Sequence, residues 1–318
     1  MQLCDLYSLA LRLAIDNDPR GKKGVEKYLA RKKEEYENLP ASKKDEFDKE
    51  DLVNPYTDSR IVYGDPTLEV DKILAGIDIG TGEVLLADRL NEKGAGIDLI
   101  LSHHPMGGPL ASLYGVMDVE VDILSKYGVP ENVAEGIMRE RIGEVERRFA
   151  PRNHNQAVDA ARLLKLAIMC THTITDNLVH DFMEKLFEKK SPDTVGDIMK
   201  ILKEIPEYKE AIKGKAGPAI FVGKENYRTG KIAPIEFTGG TEPTHEIYER
   251  LAIAGVGTVI GMHASEEHRK EAQKYHINLV IAGHISSDSL GMNILLDEFE
   301  KSGIGIIVCS GLIRVKRI

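Results

Sequence analysis

The run Leu99-Ile100-Leu101-Ser102-His103-His104-Pro105 constrains the fold more than any other stretch of the chain. Ile97 to Leu101 reads as a short buried strand, and Pro105 followed by Gly107-Gly108 cannot continue it as a central strand. The two histidines therefore stand where a strand ends. In open α/β sheets ligands collect at the carboxyl ends of strands, and imidazole is the commonest side-chain ligand for zinc, iron or manganese. Consecutive residues of a regular strand point to opposite faces, so both rings reach one site only if the chain turns there.

The surrounding pattern is α/β from Arg60 onward. Ile73 to Ile79 predicts a strand, Gly80-Thr81-Gly82 a turn, Glu83 to Lys93 a helix and Ile97 to Leu101 the next strand, a βαβ unit with a right-handed crossover. A bare Gly-x-Gly is mostly turn chemistry, so no anion cradle is read from it. One helix is expected over 110–127 and a second after Pro130, with Val133, Ile137, Ile142, Val145 and Phe149 as its apolar stripe. A third, over 154–165, leads into the strand Leu166 to Cys170 and its polar tip, Thr171-His172-Thr173-Ile174-Thr175-Asp176. Taken singly, Thr175 or Asp176 reads as the cap of the following helix.

Residues 190–218 read as a charged helical connector, and Ala219 to Val222 with Ile232 to Phe237 predict a hairpin-like pair of strands. Helix 244–253, strand 257–261, helix 265–275 and strand 277–282 restore the alternation. The last of these strands ends in Gly283-His284-Ile285-Ser286-Ser287-Asp288, with Asp288 a plausible cap for a helix over 289–302 before a strand over 305–309. Ahead of Arg60, residues 3–15 form an amphipathic helix and 21–52 a solvated charged extension. These boundaries divide the chain into an N-terminal helical extension (1–59), a first α/β half (60–190) with a helical insertion (110–150), a connector (191–231) and a second α/β half (232–318).

Charge narrows the partners. With 42 Lys+Arg against 51 Asp+Glu the net charge is -9, which disfavours direct contact with nucleic acid. There is no apolar run of membrane-spanning length, and Met1 to Asp5 lacks the basic-then-apolar layout of a signal peptide, so a cytoplasmic protein with no membrane partner is expected. Cys4, Cys170 and Cys309 are too few and too scattered for a disulfide framework or a thiolate zinc site.

What remains are donors at strand tips: His103 with His104, His172 with Asp176, and His284 with Asp288. Four imidazoles and two carboxylates suit zinc, iron, manganese or nickel, and they exceed what one catalytic ion with an open position needs. Two divalent ions about 3.5 to 4 Å apart, sharing a carboxylate, fit the count.

These residues carry a resemblance. Ser102-His103-His104-Pro105, Thr171-His172-Thr173-x-x-Asp176 and Ala282-Gly283-His284-x-x-x-Asp288 resemble, in order and spacing, the motif series of the NIF-three-like family, also known as type 2 GTP cyclohydrolase I. Gly64-Asp65-Pro66 before Lys72 to Asp78, and Ala254-Gly255-Val256 before His268 and Ile277 to Ile281, agree with it. The resemblance implies two intertwined α/β halves with mixed sheets, here with an added N-terminal helical extension. It implies a dinuclear centre with His103, His104, Asp176, His284 and Asp288 as metal ligands and His172 as a supporting or acid/base residue. A homo-oligomer is implied too, since the family commonly forms toroidal hexamers. Two departures stand out: the family normally carries glutamate where Asp288 stands, and its tryptophan-containing entry motif is missing, because this chain has no Trp.

The expected activity is hydrolysis of a cyclic amide or amidine, with a purine nucleotide as the named substrate. A water made acidic by the ions attacks a ring carbon while a second ion or His172 supports the departing nitrogen. The alternative is a metal-binding, metal-delivery or interaction protein without turnover, which needs the same ligands but no organised substrate pocket.

Overall fold

The computed structural model describes residues 1–318 and contains two mixed sheets. The strands are β1 (Ser59–Tyr63), β2 (Lys72–Gly76), β3 (Leu99–Ser102), β4 (Ala167–Thr171), β5 (Ala219–Val222), β6 (Lys231–Pro234), β7 (Val256–Gly261), β8 (Asn278–Ile281) and β9 (Gly305–Cys309). Their order is β1-β4-β3-β2-β9 in one sheet and β5-β8-β7-β6 in the other. In each, the first-named strand is antiparallel to its neighbour and every other pairing is parallel. Apart from β9, the two sheets thus repeat one topology. Strands β3, β4 and β8 are buried along their whole length, as expected of unbroken apolar runs in a parallel sheet covered on both faces.

Two exchanges tie the halves together. The helices Asp118–Lys126 and Glu131–Phe149 lie between β3 and β4 of the first sheet in sequence, yet Ile123, Ala134 and Met138 pack in one core with Ala233, Val259 and Leu279 of the second. Conversely, β9 leaves the second half and pairs with β2 in the first sheet. The N-terminal helix Leu3–Asp16 is amphipathic, as expected: Leu3, Leu6, Ala10 and Ala14 form one buried stripe in a core with Ile73, Leu101 and Met169. Only Val25 is buried in the helix Gly21–Asn38, so its charges face solvent.

Three local expectations need correction. The pair β5 and β6 is not a hairpin, because these strands are opposite edges of the second sheet, with β8 and β7 between them. The stretch 110–127 is not one helix. It breaks into Gly108–Ala111, a 3-10 turn at Leu113–Val116 and Asp118–Lys126, with Gly115 so close to Thr57 that a Cβ would lie 2.8 Å from the threonine hydroxyl. Finally, neither Thr175, Asp176 nor Asp288 caps a helix, since the helices His172–Lys190 and His284–Lys301 begin at the histidines themselves. The chain passes from strand to helix through Thr171 and through Gly283, whose φ of +115° suits glycine.

That early start matters. It puts His172 with Asp176, and His284 with Asp288, one turn apart on a single helical face. The two helices cross where Gly291 meets the backbone of Thr175, and a Cβ there would fall 2.2 Å from the Thr175 carbonyl oxygen. Neither backbone can yield without moving a helix. Gly291→Ala is therefore expected to destabilise the protein by about 1–3 kcal/mol, the usual cost of overpacking, and to lower bound metal by separating Asp176 from Asp288. Denaturant unfolding with elemental analysis checks this; wild-type values for both would show that the crossing tolerates a methyl group.

Candidate metal centre

All six residues singled out in the sequence converge at the carboxyl ends of β3, β4 and β8. His103 and His104 continue the β3 ladder for two residues, their amides donating to the carbonyls of Gly76 (2.9 Å) and Ile77 (3.0 Å). The Ser102 hydroxyl donates to the His104 carbonyl at 2.7 Å, and the chain bends there. Both rings consequently lie on one side, centroids 4.9 Å apart, instead of on opposite faces.

In three of the imidazoles Nδ1 is already engaged. The Thr175 hydroxyl donates to the Thr171 carbonyl (2.8 Å), so toward His103 Nδ1, 2.9 Å away, it acts as acceptor. His104 Nδ1 donates to Asp78 at 2.6 Å, and His172 Nδ1 to Asp58 at 2.8 Å. Asp58 is buried and also accepts from the Thr173 hydroxyl at 2.7 Å. Each of these bonds turns Nε2 toward the centre, the arrangement by which carboxylates and hydroxyls orient metal-ligating histidines.

At the centre, donors face donors. His103 Nε2 is 3.6 Å from Asp176 Oδ1 and 3.5 Å from Asp288 Oδ1. The other oxygen of Asp288 lies 3.7 Å from His104 Nε2 and 3.5 Å from His284 Nε2. His172 Nε2 is 3.7 Å from Asp176 Oδ2. All of these exceed a hydrogen bond, and His103 Nε2, Asp176 Oδ1 and both Asp288 oxygens are buried with no partner. Ligands about 2.1 Å from a tetrahedral ion sit about 3.4 Å from one another, so the spacing matches a coordination shell. Three groups could hold a metal ion: His103 with Asp176 and Asp288, His104 with His284 and Asp288, and His103 with His104 and His172. Asp288, though one methylene shorter than glutamate, addresses two of them.

Burial sets the proton balance. It pushes Asp288 well above the carboxylate range, helped by the charge of Asp176, and raises Asp176 itself to about 7. Desolvation opposes charge on His172, but Asp176 and Asp58 outweigh it and raise that ring to about 9. Burial and the neighbouring imidazoles hold His103 well below its ordinary value and bring His284 down to about 3. His104, His172, Asp176 and His284 lie against a cavity of about 350 Å³, walled also by Phe149, Phe237, Met262, Arg152, Glu236 and His263.

Several of these residues escaped the sequence reading. Asp58 stands in Pro55-Tyr56-Thr57-Asp58, a stretch that reads as punctuation, and Asp78 falls inside the expected strand Ile73 to Ile79, although β2 ends two residues before it. Nothing in one dimension pairs Asp58 with a histidine 114 positions away. Glu236 and His263 carry no spacing that could have flagged them.

Fold and centre together define a class: α/β proteins of two interlocked mixed sheets with a buried His/Asp cluster, able to hold metal, where the strands end. Within that class the chain has the NIF3 fold. A NIF3 superfamily protein from Sphaerobacter thermophilus superposes with a TM-score of 0.78 over 98% of this chain and 99% of that one, at 23% sequence identity. The segments at 21–52 and 110–150 therefore fall largely within the matched length. Reduced HcgD from Methanocaldococcus jannaschii matches with a TM-score of 0.51 over 83% of this chain and 93% of that one, at 15% identity. No family profile and no curated protein matches the sequence. No helix is long and apolar enough to cross a membrane.

The protonation pattern has a measurable sign. A cation held by Asp176 and Asp288 would need both ionised; Asp176 keeps its proton up to about 7 and Asp288 is held well above the carboxylate range, so metal affinity should rise with pH toward neutrality, about tenfold per unit for each proton displaced. Titration calorimetry in buffers of different ionisation enthalpy should record proton release on binding. Affinity that is flat with pH, with no proton released, would contradict this assignment of charge.

Proposed function

We propose that the protein is a dinuclear metal-dependent hydrolase acting on a cyclic amide or amidine, with purine nucleotides such as GTP the first substrates to try. The observation that carries the reading is Asp288: a fully buried carboxylate whose two oxygens, both without partners, each face a different set of histidine nitrogens. An isolated buried carboxylate is costly, and such a group persists when a cation or a proton neutralises it. In this reading His103, His104, Asp176, His284 and Asp288 would hold the two divalent ions, with Asp288 placed within reach of both histidine sets. Zinc, iron, manganese and nickel all suit these donors.

When bound, such ions lower the pKa of water and polarise a substrate carbonyl or amidine. The chain supplies the rest. Asp58 holds the His172 ring so that Nε2, the atom that would take or return a proton, faces the cluster. Asp78 does the same for His104. The adjoining cavity, with Phe149, Phe237 and Met262 among its walls, has room for a small heterocycle. A protein that only carries ions has no need of that pocket.

The paired change His103→Ala/His104→Ala should remove most bound metal by elemental analysis, and retention at wild-type stoichiometry would place the ions elsewhere. His172→Ala should keep most of the metal and lose about 10²- to 10⁴-fold in turnover, the usual span of a general acid/base contribution. Metal-supplemented protein should release formate or a ring-opened product from GTP or a related cyclic amide. Absence of turnover with every divalent ion tried would overturn the hydrolase reading while leaving the metal centre in place.

A further inference from the structure

The cavity beside the cluster has an acid that the metal reading does not use. Glu236 lies two residues past the end of β6, as Asp78 lies two residues past β2, but the two carboxyl groups are in different circumstances. Asp78 is 69% exposed and bonded to His104, whereas Glu236 is 4% exposed, lines the cavity and touches no cation. Its Oε1 accepts a long bond, 3.4 Å, from the Tyr248 hydroxyl, and its Oε2 has no partner.

The placement is built. Glu236 has a φ of +64°, a conformation that non-glycine residues adopt mainly where the surrounding structure enforces it, and often at functional sites. Across from it Gly261 leaves space that a side chain would fill, since a Cβ there would lie 3.1 Å from Glu236 Oε2. A second acid, Glu120 of the helix Asp118–Lys126, is 1% exposed with both oxygens unpartnered. It is lodged against Gly239, where a Cβ would come within 2.7 Å of its Oε1. Around Glu236 the titratable groups are Glu120, Glu242 and Tyr248, and the cavity it lines is shared with Arg152, His263, Asp78 and the cluster residues His104, His172, Asp176 and His284. No lysine or arginine pairs with Glu236 or Glu120.

A carboxyl group in such surroundings keeps its proton. Burial raises Glu120 to about 8, and burial with the like charges of Glu120 and Glu242 raises Glu236 well above the carboxylate range.

We propose that Glu236 is the proton donor of this pocket, a neutral carboxylic acid presented to the leaving group of a substrate held over the His/Asp cluster. The role rests on the hydrolase reading above. In the step it serves, water forms a C–O bond to the ring carbon and the C–N bond breaks with its electron pair staying on nitrogen. That nitrogen takes the Glu236 proton, and the carboxylate left behind is reprotonated by the proton the water loses. The sum is one water added across one C–N bond, with no net proton gained or lost.

Two readouts test this. Infrared spectra of the ion-free protein at neutral pH should show a carboxylic-acid carbonyl band that Glu236→Gln removes; absence of any such band assignable to Glu236 overturns the proposal whatever the protein turns over. With a cyclic amide or purine nucleotide that the metal-loaded protein hydrolyses, Glu236→Gln should bind wild-type amounts of metal yet lose about 10²-fold or more in kcat, together with the alkaline limb of the pH profile. Glu120→Gln, which removes a neighbouring charge instead of the donor, should shift that limb to lower pH. Unchanged kcat and pH profile in Glu236→Gln would exclude Glu236 while the hydrolase reading stands. Failure of the wild type to turn over any member of the panel would remove the hydrolase reading, and the donor role with it, even with the infrared band present.

Discussion

The centre depends on two helices being allowed to touch. Gly291 brings the helix that carries His284 and Asp288 into backbone contact with the helix that carries His172 and Asp176. Each helix delivers an imidazole and a carboxylate one turn apart, and the crossing turns two separate pairs into one cluster. His103 and His104 then enter from β3 between them, which is why a single glycine on a helix face has such reach.

Clustering so many ionisable groups in a buried place is costly by itself. Unpaired carboxylates lose their hydration, and burial raises the proton affinity of Asp176 and Asp288, while Asp176 and Asp58 raise that of His172 against its own desolvation. A purely structural core would spend the same volume on apolar side chains, as the surrounding clusters of Ile, Leu and Val do. The orienting bonds to Thr175, Asp78 and Asp58 further show organisation beyond the donors themselves, since each leaves one nitrogen free in one direction. The same logic extends across the cavity to Glu236 and Glu120, acids kept without cationic partners in space opened by Gly261 and Gly239.

Much of this was legible in one dimension. Short apolar runs ending in histidine marked β3, β4 and β8, and the motif series anticipated two interlocked α/β halves. The helix starts were misread for a local reason: Thr175, Asp176 and Asp288 are good capping residues, and nothing nearby reveals that each helix begins one turn earlier. The hairpin between β5 and β6 was inferred from proximity in sequence, which parallel sheets routinely violate. The insertion helices lie next to the first half in the chain and pack on the second, because their apolar stripe says that they bury a face without saying against what.

Sequence alone determined the kinds of donors, their order and their positions at strand ends, because strand and helix periodicities and ligand chemistry are local properties. Tertiary structure decided which donors meet: that Asp288 faces both histidine sets, that Asp58 orients a ring 114 positions away and Asp78 one on the neighbouring strand tip, and that Glu236 borders the same cavity. Those outcomes depend on how the sheets exchange β9 and the insertion helices and on how closely Gly291 lets two helices approach. Distances of a few ångströms between residues more than a hundred positions apart are set by packing, and no local pattern encodes them.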